Sequence, residues 1–317
     1  MKKSFICDIS EGALVDDVFF LGDISRRVTR TGHPYLTLGL NDRSGVIGGR
    51  VWQDADVLVH SLTAESFVRV RGKAESYRNR LYIKVDGVEA VDISLIDQQH
   101  FLPGTYRDME ELTGYIRYFL TEVFDVDYSR LLESFFSDEI FMERFCRAPG
   151  DERSHHAYLG GLLEHTVSVA TLCQHVAVQH PRLNSDLLLT AALLHDIGKV
   201  DEFNYRGRIT LSREGELLGH VLLGQKMIEQ RIMRLGGFPP EKELQLIHAL
   251  VSHHGELEWG APKRPQSAEA LALHHLDNLD ARVKGFYEVV DGSGEVPWGE
   301  LQNLFRRPLT EPRAADR

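Results

Sequence analysis

The sequence predicts a multidomain protein in which an all-β barrel or sandwich is followed by an all-α bundle. Three observations lead there. The chain of 317 residues is long enough for two domains. From Val18 to Val91 it runs as short alternating segments with glycine and polar punctuation, and beyond residue 105 the apolar spacing becomes helical almost throughout.

The strands are read from "VFFLGDISRRVT", "YLTLGLNDRSG", "VIGGRVWQ", "FVRVRGKAESY" and "RLYIKVDGVEAV", whose close and even spacing suits a small antiparallel barrel or sandwich. The first domain is therefore placed at 1–92. Pro103 and Gly104 punctuate a linker at 93–106. The helical domain, 107–303, is read from stretches such as "MEELTGYIRYFLTEVF" and "LGGLLEHTVSVATLCQHVAVQH". The tail 304–317 has little apolar content and is expected to be loose.

Composition narrows the classes of function. The longest apolar run near a candidate helix, "LLLTAALL", is too short to span a bilayer, and the amino end lacks a signal-peptide core, so a cytoplasmic protein without a membrane partner is expected. Cys7, Cys146 and Cys173 form no C-x-x-C pair, which argues for reduced thiols. A net charge of −11 argues against a broadly basic duplex-binding surface but leaves room for a local groove.

Alternation supplies such a surface in the first domain. Phe67, Arg69, Arg71 and Lys73 share one strand face, opposite Val68 and Val70; Arg80, Tyr82 and Lys84 share another, opposite Leu81, Ile83 and Val85. Joined as a hairpin, they would present cations and a ring to single-stranded nucleic acid, with Arg26, Arg27 and Arg30 extending the face. The rival reading is charge for solubility, since residues 12–92 hold eleven basic and eleven acidic residues.

The chemistry is expected in the second domain. His165, His195, Asp196, His220, His253, His254 and Asp277 all lie in apolar helical contexts, where an imidazole or carboxylate is costly unless paired or metal-bound. Convergence of five or six histidines with two aspartates fits a two-metal centre, in which Asp196 is the best candidate to bridge. There is no H-E-x-x-H, no P-loop and no G-x-S-x-G, which leaves metal-assisted hydrolysis.

The order His165, His195-Asp196, Asp277 resembles the H…HD…D signature of the HD phosphohydrolase superfamily. The longer phrases "LLHDIGKVDEF", "EGELLGHVLLG" and "LVSHHGELEWGAPKRPQSAEALALHHLDNLDA", after a barrel that looks like an OB-fold, resemble the YhaM-type 3′-to-5′ exoribonucleases from about residue 12 to 290. The resemblance implies an OB-fold barrel followed by an all-α HD-domain bundle. It implies hydrolysis of single-stranded RNA, with ssDNA as a further substrate, by two divalent ions. Manganese is favoured, with iron, cobalt or magnesium as alternatives. It assigns His165, His195, Asp196 and Asp277 to one ion, and His220, His253 and His254 to the other, with Asp196 shared.

The flanking residues carry their own expectations. Lys199 either holds a phosphate oxygen or caps a helix C-terminus through a turn at Gly198. Glu164 is expected at the surface, His274 behind the ligands, and His275 and Asp280 as helix caps or pairs. His155 or His156, Lys263 and Arg264 are candidates for substrate contact. A barrel edge or the helices from 107 to 145 would serve a homo-oligomer. Competing functions are a phosphodiesterase or phosphatase for a nucleotide or cyclic dinucleotide, against which the absence of G-Y-P counts, and a non-catalytic sensor.

Overall fold

The structure, a computed structural model, describes residues 2–78, 80–152 and 156–292, with side chains through residue 287. The tail at 304–317 and His155 lie outside the described residues. The chain divides into two compact units, Met1–Gly104 with Asn204–Thr210, and Thr105–Phe203 with Leu211–Arg317. Among the described residues no helix is long and apolar enough to cross a membrane.

In the first unit β1 (Leu14–Val28), β2 (Pro34–Asp42), β3 (Gly45–Val51), β4 (Ser66–Tyr77) and β5 (Arg80–Val91) close a barrel in the order β1-β2-β3-β5-β4, with helix α1 (Ala55–Ser61) between β3 and β4. Every pairing is antiparallel except β3 with β5. The barrel closes through β3 and β5 over four residue pairs, Gly48–Val51 with Tyr82–Val85.

Alternation puts Leu36, Leu38, Leu40, Val68, Val70, Ile83 and Val85 in the interior. Phe67 departs from its expected place on the open basic face. It is buried in a second cluster with Val18, Phe20 and Phe101, the last from the segment after the barrel. At the amino end Lys2 is drawn inward: its ammonium group, 1% exposed, pairs with Asp42 at 2.9 Å, donates to the Val18 carbonyl at 3.0 Å and stands 4.0 Å from the Phe19 ring centre.

The second unit begins with α2 (Met109–Thr121), α3 (Val126–Phe136) and α4 (Glu139–Arg147). Each starts on an aspartate, Asp108, Asp125 or Asp138, that accepts two backbone N–H groups of the first turn. Next come α5 (Gly161–Gln179), α6 (Ser185–Leu194), the short α7 (Lys199–Glu202), α8 (Arg213–Leu235), α9 (Pro240–Ser252) and α10 (Ala268–Gly292). Between α7 and α8 run two short paired strands, β6 (Phe203–Tyr205) and β7 (Ile209–Leu211), whose residues Asn204–Thr210 belong to the first unit. Residues 187–194 of α6 are all buried, as expected for a helix apolar on every side, and α5, α9 and α10 pack around it.

Candidate functional site

The helices deliver their polar residues to one place. His165 comes from the second turn of α5, His195 and Asp196 from just past the end of α6, Lys199 from the start of α7, His253 and His254 from just past the end of α9, and Asp277 from α10. His220 depends on a break in α8. Gly219 has φ 72° and ψ 160°, a conformation essentially reserved to glycine, and it frees the His220 N–H to donate to Glu202 Oε1 at 2.8 Å.

Two groups of donor atoms meet at Asp196. On its Oδ2 side lie His165 Nε2 at 3.5 Å and His195 Nε2 at 3.4 Å, with Asp277 Oδ1 3.1 Å from His165 Nε2. On its Oδ1 side lie His220 Nε2 at 3.4 Å and His253 Nε2 at 3.6 Å. His254 Nε2 is 3.2 Å from His220 Nε2, the same separation as between His165 Nε2 and His195 Nε2. Such spacings suit donors that share one ion, since two nitrogens each about 2.1 Å from a tetrahedral centre sit roughly 3.4 Å apart.

The outward edges of the rings fix their tautomers. The Nδ1 atoms of His195, His253 and His254 face the carbonyls of Ala192, Leu250 and Trp259 at 2.8, 2.6 and 3.0 Å. Those of His220 and His165 face Glu202 Oε1 at 3.0 Å and Asp280 Oδ2 at 2.7 Å. Acceptors on that side require Nδ1–H, which turns the Nε2 lone pairs of the neutral rings inward. Among the described residues, Asp196 Oδ1 and His253 Nε2 are buried with no hydrogen-bond partner. An orphaned anionic oxygen facing an orphaned nitrogen lone pair is a strongly unfavourable arrangement unless a cation lies between them. The residues fit a pair of divalent ions.

The charges agree with this geometry. Burial opposes ionisation of Asp196, but Lys199 and His195 outweigh it and hold its carboxyl well below the usual range. Burial would likewise strip the proton from Lys199; Asp196, 2.6 Å from its Nζ, holds it on. Burial, with His253 and His220 nearby, lowers His254 to about 3, so it stays neutral. His165 differs: burial lowers it, yet hydrogen bonds to Asp277 and Asp280 prevail and raise it to about 10. Without an ion it keeps a proton that a metal must displace.

Asp196, Lys199, Glu202, His220, His253, His254 and Asp277 line a cavity of about 400 Å³ that also includes Trp259, His274 and Asn278, while His165 and His195 lie outside its lining. The structure corrects several neighbours. Glu164 is not at the surface; it is buried and bonded to Thr105, to Tyr158 at 2.9 Å and to Lys284 at 2.9 Å. Asp280 does not cap a helix but holds His165, His156 and Ser168. His156 is buried behind His165, bonded to Tyr158 and Asp280, and does not line the cavity. Gly198 is in the right-handed helical region, so no C-cap turn forms there. A Cβ on it would meet the His220 carbonyl at 2.0 Å, so its small size allows α8 to approach.

Lys263 and Arg264 are exposed and outside the cavity lining, Arg264 bonded to Glu256 at 2.9 Å. His274 carries the His253 carbonyl on its Nδ1–H at 2.8 Å. Sequence reasoning missed Glu202 and Trp259. For Glu202 the available signal was a carboxylate set between the apolar Val200 and Phe203.

On the barrel, Arg69, Arg71, Lys73, Arg80, Tyr82 and Lys84 do point outward, but acids face several of them. Arg69 grips Asp16 through two bonds of 2.7 and 2.8 Å, Arg71 lies 3.9 Å from Glu89 and Lys84 3.8 Å from Glu75, which also accepts from the Tyr82 hydroxyl. A groove of about 580 Å³ opens beside them, with Gly48 and Gly49 in its wall and Arg50, Tyr77, Arg78, Arg80 and Tyr82 around it. No carboxylate among the described residues forms an ion pair with Arg50, Arg78 or Arg80. The Arg50 guanidinium lies 4.3 Å from the Tyr82 ring centre, and Tyr35 stacks on Trp52 at 4.7 Å.

The family model described as HD domain matches residues 162–282, and that described as OB-fold nucleic acid binding domain matches residues 19–91. The protein therefore carries an OB-fold barrel followed by a helical HD domain. Similar solved structures include the second OB-fold domain of replication protein A from Methanococcus maripaludis, 16% identical over 29% of this chain and 96% of its own, TM-score 0.24. A replication protein A heterotrimer bound to ssDNA is 26% identical over 29% of this chain and 63% of its own, TM-score 0.22. The HD domain of the L. monocytogenes phosphodiesterase PgpH is 18% identical over 46% of this chain and 74% of its own, TM-score 0.31.

Proposed function

We propose that this protein is a cytoplasmic, metal-dependent phosphodiesterase that shortens single-stranded RNA from its 3′ end, with manganese the favoured metal. The observation that carries the reading is the set of inward Nε2 atoms around the two oxygens of Asp196. The pairing of an HD domain with a nucleic-acid-binding barrel supports a polymeric substrate, and the long phrases around the histidines support the direction of attack.

Two divalent ions bound there would acidify a water and neutralise charge on the phosphate. His165, His195 and Asp277 would hold one, His220, His253 and His254 the other, and Asp196 both. Lys199 lines the cavity with its ammonium fixed on Asp196 and meets a non-bridging phosphate oxygen. Glu202 and Asp280 keep His220 and His165 in the tautomer that binds metal. The barrel groove holds the strand, its arginines tracking phosphates while Tyr82 and the Tyr35–Trp52 pair stack on bases.

The test is a time course with manganese on single-stranded RNA labelled at its 5′ end, beside a cyclic dinucleotide and a simple phosphodiester. A ladder that shortens from the 3′ end and stops with EDTA supports the reading. Turnover of the small substrates alone would reject it in favour of nucleotide hydrolysis.

A further inference from the structure

Trp259 shares the cavity with the candidate metal ligands, yet nothing in the metal chemistry uses it. It is 50% exposed, a large apolar surface left open to water beside a polar centre. Its position is nonetheless fixed. It closes a single 3-10 turn, Leu257–Trp259, ended by Gly260 at φ 88°, and its carbonyl accepts the Nδ1–H of His254 at 3.0 Å. The same bond that sets the tautomer of a candidate ligand therefore ties the backbone that carries the indole to the candidate metal centre.

Two residues of α10, Asn278 and Arg282, stand beside it. The Arg282 guanidinium lies 5.8 Å from the Trp259 ring centre and donates through Nε to Asn278 Oδ1 at 2.7 Å. Arginine is only a donor, so this bond assigns the Asn278 carbonyl to Arg282 and leaves the amide N–H groups for another acceptor. Asn278 lines the same cavity. An aromatic plane and an amide donor within one small cavity, with the Arg282 cation behind them, match a nucleobase, which offers a π-face and acceptors on its edge.

We infer that Trp259 is the stacking platform for the base of the terminal nucleotide whose phosphodiester is cut, with Asn278 at the base edge and Arg282 bracing the indole. This rests on the RNA-cleaving reading above. It makes Trp259 a residue that selects substrate, apart from those that hold metal. A cavity of about 400 Å³ suits one nucleotide at a time.

The test uses two 5′-labelled single-stranded RNAs identical except at the 3′ end, where one carries adenosine and the other an abasic ribose. They are assayed with manganese on the wild type, Trp259→Phe and Trp259→Ala, and bound metal is measured for each. The wild type is expected to have a KM roughly tenfold lower for the adenosine end. Trp259→Ala abolishes that difference by losing affinity for the adenosine end alone, Trp259→Phe keeps most of it, and metal content is unchanged. In a Trp52→Phe, Trp298→Phe background, adenosine monophosphate should quench the remaining tryptophan fluorescence.

An equal loss on both RNAs, a fall in bound metal, no effect of Trp259→Ala, or no quenching would overturn the inference while leaving RNA cleavage intact. A wild type that cleaves neither RNA but hydrolyses a small diester would reject the RNA reading and this inference with it.

Discussion

The barrel face and the candidate metal centre are both built from charged and aromatic residues, but they satisfy those residues in opposite ways. On the barrel Arg69, Arg71 and Lys84 meet carboxylates of neighbouring strands, so the hairpin face is close to neutral. In the helical unit the rings of His195, His220, His253 and His254 are satisfied on their outer edges and turn Nε2 inward, and among the described residues Asp196 Oδ1 and His253 Nε2 are two of three buried side-chain atoms with no partner, the third being Thr190 Oγ1. Charge that is already paired speaks of solvation. Polar atoms buried and unpaired speak of a ligand, because only a ligand can relieve their cost.

The contrast can be broken most severely at Asp196. Replacing it with alanine is expected to lower manganese-dependent activity roughly a thousandfold or more and to reduce metal content at both sites. Full activity in that variant would show that the two donor groups do not share a carboxylate.

Gly219→Ala sharpens the contrast by touching one donor group only. A side chain at φ 72° straightens the break, moves His220 from Glu202, and should weaken one of two ions by about 10- to 100-fold in a chelator titration. The other ion should bind as before.

Acidity separates the two groups further. His165 holds its proton up to about pH 10, so an ion on its side releases one proton, and affinity there should rise about tenfold per pH unit below that value. His253 and His254, lowered chiefly by burial, are already neutral and release none. Calorimetry of manganese binding in buffers of different ionisation enthalpy should detect proton uptake by the buffer at one site and not at the other.

The smallest effect is expected on the barrel. Arg50→Ala with Arg80→Ala should weaken RNA binding several-fold and reduce the salt slope by about one to one and a half, whereas Arg69→Ala with Arg71→Ala should change both less. Equal effects would return the binding face to the hairpin.

Much of this was legible in the sequence because metal chemistry restricts residue type. Histidines and aspartates embedded in apolar helical phrases are costly without a partner, so His165, His195, Asp196, His220, His253, His254 and Asp277 could be singled out as a set, though no one of them alone. The barrel was legible because alternation is local. What stayed hidden was pairing across the fold. Asp280 lies three residues after Asp277 on one helix face, yet nothing local says that His165, 115 residues earlier, donates to it. Glu164 looked like a surface acid because its partners Thr105 and Lys284 are far off in the chain. Tyr35, Arg50 and Trp52 could have been found by applying to "YLTLGL" and "VIGGRVW" the same alternation applied to the hairpin.

The inward turn of Lys2 has a practical consequence. Breaking a buried ion pair costs roughly 3 to 5 kcal/mol, and here the lower end applies, because Asp42 would keep the N–H groups of Ile6 and Ser44 and the Ser44 hydroxyl as donors. The second residue of the chain is thus a keystone of the barrel. Acetylation of Lys2 would remove the charge that faces Asp42 and so loosen this corner of the barrel.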